Sequence, residues 1–586
     1  MKKILNILFA IALLTGCKKD LLDTSPYSQV ASETMWTTDN LTDQGVTGVY
    51  ALLRYGFTSG GASGLELYQM DALGLTGQTT GAESLLSGTV TPSNSYFSSH
   101  WQNLYEGIQR ANDAIKNIPL KSPSSAEKKA RYIAECKFLR AYFYFRLNQL
   151  YKGVPIYLEP FTADQATKAR ASEDQVWQQV INDLNEVIAE TNLPNRYASG
   201  NALYGHITKG AAYALRGKAY LYMRKWDLAA ADFSKVRDAG YTLFANYSNL
   251  FKTANEQSPE MIFSIQNTAV SGFGSDTQFY CGTRSSFGSC WNTYHVSPNL
   301  VDLYENADGS KFDWEVAIPG YSALSVAERE VYFLRNNLTT AEIAAATTRG
   351  AKMSLYLPTG NEARLLKAYA NRDPRLSANV ITPYSTYNGV FSGGNAVVTS
   401  RWPYRGEAAT NGDLRTDTQS FLYYLYRKYV YEGISETPAR DYGPTDMVLI
   451  RYADVLLMWA EALNEQGLTS DAIAKVNEVR SRAGVALLQN TNGGLPTYVA
   501  SQSDLRERIR NERRVEFPNE GINFFDEMRW KTWKEKVFYA GNGVKQAWGK
   551  VVYAYSFKGD YLYNWAIPAV EIERNPNLTQ NPGWVN

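Results

Sequence analysis

His100, His206 and His295 are the only histidines in the chain, and no two of them stand at metal-ligand spacing. No HExxH, P-loop or G-x-S-x-G stretch occurs, so zinc hydrolysis, phosphate cradling and serine-hydrolase chemistry have no motif to rest on. Glycoside hydrolysis needs only two carboxylates about 5–10 Å apart across a cleft. The 58 acidic residues leave that rival open, yet none sits in a motif that marks it out. These residues give no metal site and call for no other cofactor, and the glycosidase reading stays open.

The cysteines and aromatics say more. An apolar run, Ile4 to Leu14, follows two lysines and ends at Leu14-Thr15-Gly16-Cys17. The run is too short to span a bilayer, which takes about 20 residues. It has the layout of a secretory signal over 1–16, and LTGC resembles a bacterial lipobox, in which Cys17 takes a diacylglycerol thioether. The expectation is an exported protein held to a membrane by acyl chains on Cys17. Cys136 lies in a strongly helical stretch and reads as a small buried apolar residue. Cys281 and Cys290 flank a short Gly/Ser-rich loop, CGTRSSFGSC, where export makes a disulfide natural. With 41 Tyr and 13 Trp the chain is rich in flat apolar faces bearing polar handles, the complement of a sugar ring. The 59 basic residues balance the acidic ones, so nothing favours nucleic acid.

Helical patterns must position these groups. Spaced apolar residues predict helices over 41–56, 101–118 (Trp101, Leu104, Ile108, Ala111, Ile115), 124–151 and 173–190, the last two opened by serine caps. Trp101 belongs to the core on this reading. Within 206–240, Gly217, Tyr220, Ala229 and Phe233 stand at the offsets of a tetratricopeptide repeat. A second pair over 445–483 puts Ala460, Leu463, Ala472 and Val476 at the same offsets. Between them, 255–440 is rich in Gly, Ser, Thr, Asn and Tyr and reads as loops and short strands. Loops of that length on a rigid frame are where binding residues sit. The most charged stretch, 504–533, alternates Arg and Glu at helical spacing and reads as a laced, solvated face with structure as its role.

That stretch also carries a resemblance. IRNERRVEFPNEGINFFDEMRW resembles the signature of the SusD/RagB family. WAIPAVEIERNPNLTQNPGW (565–584), RDPRL (372–376), RYADVLLMWAEALNE (451–465) and WQNLYEGIQRAN are similar to its other landmarks, in the right order. The resemblance implies a mainly α protein: a tetratricopeptide-like helical scaffold with an irregular, loop-rich ligand-binding part. It implies a scaffold over 17–254, a ligand-binding region over 255–440 and a closing helical part over 441–586. It also implies a lipoprotein on the outer face of the outer membrane. Such a protein is not an enzyme: it captures oligosaccharides, or peptides in some members, and delivers them to a TonB-dependent, SusC-like transporter. Mapped onto this chain, the family's ligand loops point to Asp71, Asn94, Tyr96, Tyr280, Trp291, Tyr294, Trp402 and Tyr404. Trp291 is the favoured stacking residue, because Tyr294 follows it in a Gly/Ser/Asn-rich loop.

Overall fold

The computed structural model describes residues 32–54, 65–407, 411–434 and 439–585. The signal and Cys17 lie outside the described residues. Among the described residues no helix is long and apolar enough to cross a membrane.

Side-chain caps open most, though not all, of the long helices. They are α1 (Asp39–Tyr50), α2 (Ser95–Lys121), α3 (Ala126–Tyr151), α4 (Glu173–Ala189), α5 (Lys209–Tyr222) and α6 (Trp226–Asp238). After the irregular part come α7 (Tyr452–Glu465), α8 (Thr469–Ala483) and α9 (Gln502–Glu516). The Ser125 hydroxyl accepts from the Lys128 amide at 3.2 Å. Ser172 and Gln175 close a reciprocal capping box on α4. The α2 stripe is buried from Phe97 through Trp101, Leu104 and Ile108 to Ile118. At Gly107 a Cβ would lie 2.5 Å from the Phe143 ring, so α2 and α3 meet at a distance only glycine permits. Gly217 does the same for α5 and α6: its Cβ would sit 2.6 Å from Phe233. In the second pair Ala460, Ala472 and Val476 are fully buried, and α6 packs directly on α7. The two tetratricopeptide-like pairs thus stack on each other. The C-terminal segment returns to the first helices, with Trp565 and Trp584 set edge-on to Phe97 at 5.1 and 5.3 Å.

The strands are short and all pair antiparallel: β1 (Gly77–Thr79) with β3 (Tyr294–Val296), and β2 (Met261–Ile265) with β8 (Met447–Arg451). Likewise β4 (Val380–Ile381) pairs β7 (Leu425–Tyr426), β5 (Thr386–Phe391) pairs β6 (Gly394–Thr399), and β9 (Gly543–Lys545) pairs β10 (Val551–Ala554). Beside the helical core stands a second one, built on Tyr304, Phe333, Trp402, Tyr424 and Trp548.

The charged stretch is a laced, half-exposed face only in its first part, where Arg508 pairs with Asp504 and Arg510 with Glu507; from Glu512 onward it is buried. Glu512, Arg513, Arg514, Glu516, Glu520, Asp526 and Glu527 are all buried. Arg513 bridges Asp526 at 2.6 Å and Asp454 at 2.8 Å, and Arg514 meets Glu527 at 2.7 Å. Glu516 takes Arg375 at 2.8 Å and Arg451 at 2.7 Å, and also pairs with Arg482. Arg451 reaches Glu260 at 2.7 Å and Glu520 at 2.8 Å. The charges neutralise one another across elements, which is the condition for burying them. RDPRL supplies Arg375 and Asp373 to this network, so it joins the irregular part to the helical frame.

Candidate functional site

The irregular part brings three of the expected residues together. A helical turn, Thr277–Cys281, presents Phe279 and Tyr280. The loop after it returns to them, held by hydrogen bonds: Cys290 N donates to Thr283 O at 3.0 Å and Trp291 N to Phe279 O at 2.8 Å. Arg440 clamps the same loop, donating to Gly288 O and Ser289 O at 2.9 and 2.8 Å while its guanidinium covers the Phe279 ring at 4.5 Å. The pairing of Thr79 with Tyr294 then sets Tyr294 beside the turn.

The rings form one cluster. Trp291 lies 4.5 Å from Phe279 and stands perpendicular to Tyr280 at 6.5 Å. Tyr294 is 6.3 Å from Tyr280 and 4.6 Å from Tyr68. Tyr294 and Tyr68 are buried and form the base, and Trp291 is 43 % exposed at the top. An exposed indole braced by half-buried rings that rest on a buried base offers a platform for the face of another ring.

Two carboxyls border the cluster. Tyr68 donates to Asp276 at 3.3 Å, and burial pushes the Asp276 carboxyl up to about 7. Glu83, at the start of the short helix Ser84–Ser87, makes no side-chain cap bond to it. Burial pushes its carboxyl up to about 7 with no cation to offset the effect, and its field reaches Tyr294 and Tyr555. Such groups accept hydrogen bonds from hydroxyls when ionised and donate one when protonated.

The other expected residues go elsewhere. Asp71 is fully buried, accepts from the Asn519 amide and cannot touch a ligand in this fold. Trp402 is also buried: its indole donates to Glu330 at 3.1 Å, under the Arg349 guanidinium. Asn94 caps α2, accepting from Tyr96 N at 2.9 Å, and Tyr96 packs against the helical core. Tyr404 lines a separate shallow cleft with Phe421. The expected disulfide is absent as well. Cys281 and Cys290 are separate buried thiols. The helical turn aims the Cys281 sulfur at Asn519, 3.9 Å away, whereas Cys290 faces Phe287 O at 3.4 Å. Hydrogen bonds and Arg440 do the bracing that a disulfide was expected to do. Sequence reasoning missed Glu83, Tyr68, Phe279 and Arg440. Phe279 adjoins Tyr280 and was within reach, but no local signal marks Glu83.

Frame and irregular part together define the class: a mainly helical fold in which tetratricopeptide-like pairs carry a loop-rich half with an aromatic cluster. Residues 259–584 match the SusD family, and the chain belongs to it. Residues 20–221 match a second profile, described as starch-binding associating with outer membrane. Among relatives, SusD-like protein P38 of Formosa agariphila is 24 % identical over 553 residues, covering 90 % of this chain and 92 % of that one. The starch-binding protein SusD of Bacteroides thetaiotaomicron is 25 % identical over 479 residues, 78 % of this chain and 73 % of that one. Among solved structures, a SusD-like carbohydrate binding protein from Bacteroides fragilis superposes with a TM-score of 0.72 at 24 % identity. That match covers 93 % of this chain and all of the other. A laminarin binding SusD-like protein gives a TM-score of 0.63 at 22 % identity, over 94 % of this chain and all of the other.

Proposed function

We propose that this protein captures oligosaccharides at the cell surface and passes them to a TonB-dependent, SusC-like outer-membrane transporter. A lipid on Cys17 anchors it to the outer face of the outer membrane. It binds and releases its ligand without breaking a bond. The family supports this reading, as do relatives described as binding starch and laminarin. The observation that carries it for this chain is the exposed Trp291 braced by Phe279 and Tyr280. A sugar ring laid on the indole offers its C–H face to the π-surface and its rim hydroxyls to Glu83 and Asp276. The rings are already ordered by their neighbours, so stacking costs little further entropy.

A glycan array probed with the protein identifies the sugar, and titration with that sugar tests the site. Removing one stacking ring costs about 1–3 kcal/mol, taking base stacking as the analogy. Trp291→Ala is therefore expected to weaken binding about tenfold or more, with an unchanged melting temperature. Glu83→Gln is expected to weaken it less. Equal affinity in a folded Trp291→Ala protein would remove the platform from the reading, and no binding to any glycan would remove the reading itself. Replacing Cys17 by Ala and fractionating the cells tests the anchor.

A further inference from the structure

Among the described residues the buried aspartates and glutamates are paired with cations, except Asp71, Asp276 and Asp446. Backbone amides hold two of these: Asn519 N donates to Asp71, and Asn267 N to Asp446 at 2.7 Å. Asp276, beside the platform, has the Tyr68 hydroxyl at 3.3 Å and its own amide, and Asp441 nearby adds a like charge. Glu83, beside Tyr294, is half-buried and makes no side-chain hydrogen bond or ion pair among the described residues. Neither of its oxygens is sealed from solvent.

Drawing carboxyls out of water without a cation costs free energy, and nothing in the free protein offsets it here. The rings push in the same direction. The faces of Trp291, Tyr280 and Tyr294 are the negative sides of their quadrupoles, which attract a cation within about 6 Å. One cation already uses such a face: the Arg440 guanidinium covers Phe279 at 4.5 Å. Its hydrogen bonds go to Gly288 O and Ser289 O, and it forms no ion pair with Asp276 or Glu83. Rings and carboxyls thus leave the platform negative, with an open oxygen pair at Glu83.

A sugar hydroxyl would give these carboxyls a hydrogen bond but no charge. A protonated amine on the ring gives both, and an ammonium donor makes the stronger bond. Resting on the platform reading above, we propose that the ligand is an oligosaccharide with free amino groups, a glucosamine chain in the simplest case. One ring stacks on Trp291, an ammonium meets Glu83, and Asp276 adds to the negative field. Tyr280 and Tyr294 lie between the indole and Glu83 in steps of 6.5 and 6.3 Å, so the two ends of the site engage different units of the chain.

Calorimetric titration near neutral pH compares a glucosamine trisaccharide with its N-acetylated form, in which the rings and hydroxyls remain and the charge is gone. The free amine is expected to bind at least about tenfold more tightly, as for one charge-assisted bond. Glu83→Gln breaks no bond in the free protein and should cut that margin to about twofold. Asp276→Asn should narrow it as well. Trp291→Ala should weaken both sugars and keep the margin. The proposal is overturned if the acetylated sugar binds as tightly as the amine, or if Glu83→Gln weakens both equally. It is also overturned if trilysine binds as tightly as the amino sugar, which would make the site a peptide's. If neither sugar binds while another glycan of the array binds through Trp291, this inference falls and the platform reading stands.

Discussion

Replacing Glu516 by Gln keeps the side chain's shape and removes one charge from the centre of the buried network. The carboxylate has no exposed surface and receives Arg375 at 2.8 Å, Arg451 at 2.7 Å and Arg482. Burial alone would raise its pKa, but the guanidiniums of Arg482, Arg451 and Arg375 outweigh burial and hold it well below the usual carboxylate range. Breaking a buried ion pair from one side costs about 3–5 kcal/mol. Here each cation keeps another carboxylate: Arg375 keeps Asp373 and Glu512, Arg451 keeps Glu260 and Glu520, and Arg482 keeps Glu260. The expected loss is therefore at the lower end, about 3 kcal/mol. Glu507 is the control on the same helix, 46 % exposed and paired with Arg510 three residues on. Its Gln variant should cost less than about 0.5 kcal/mol. Urea unfolding followed by tryptophan fluorescence measures both. Because the folded pKa is depressed, the contribution of Glu516 is present above its unfolded value of 4.5 and is lost only as pH falls through the lower folded value. The difference between the two variants should thus hold at neutral pH and shrink in strong acid. If Glu516→Gln costs under about 1 kcal/mol, or no more than Glu507→Gln, the network does not bear the stability assigned to it here.

Asp71 tests the opposite sign. Burial raises its carboxyl from 3.8 to about 7, so its stabilising share is present below about pH 4 and is lost as pH rises through about 7. Asp71→Asn should stabilise the protein at pH 8 and change little at pH 4, as read by thermal melting, and a pH-independent effect would show that the carboxyl is not buried as described. For the cysteines, thiol titration in denaturant without reductant should find Cys136, Cys281 and Cys290 all free, and slow to react in the folded protein, where burial pushes the Cys290 thiol up to about 12. A single free thiol would contradict the separation of Cys281 from Cys290.

The helical frame was legible because its signals are local. Apolar stripes at three- and four-residue steps marked α2 to α4, and serines marked the starts of α3 and α4. The tetratricopeptide offsets marked the positions where Gly217 and Ala460 let helices close on each other. Family motifs carried the fold class, and the platform was half legible because Tyr280, Trp291 and Tyr294 lie within one stretch of loop. Tertiary structure decided what depends on distant partners. A run of alternating Arg and Glu looks like a solvated face from its own spacing, yet Arg451 finds Glu260 across 191 positions and Arg375 finds Glu516 across 141. Asp71 and Trp402 were assigned from the family's ligand loops and the two cysteines from their own loop, and packing against Asn519, Glu330 and Phe287 overruled both. Glu83 gained its place beside Tyr294 only when β1 paired with β3. Sequence spacing reports which side chains share a face of one element, whereas burial and charge pairing depend on which other elements arrive to cover that face.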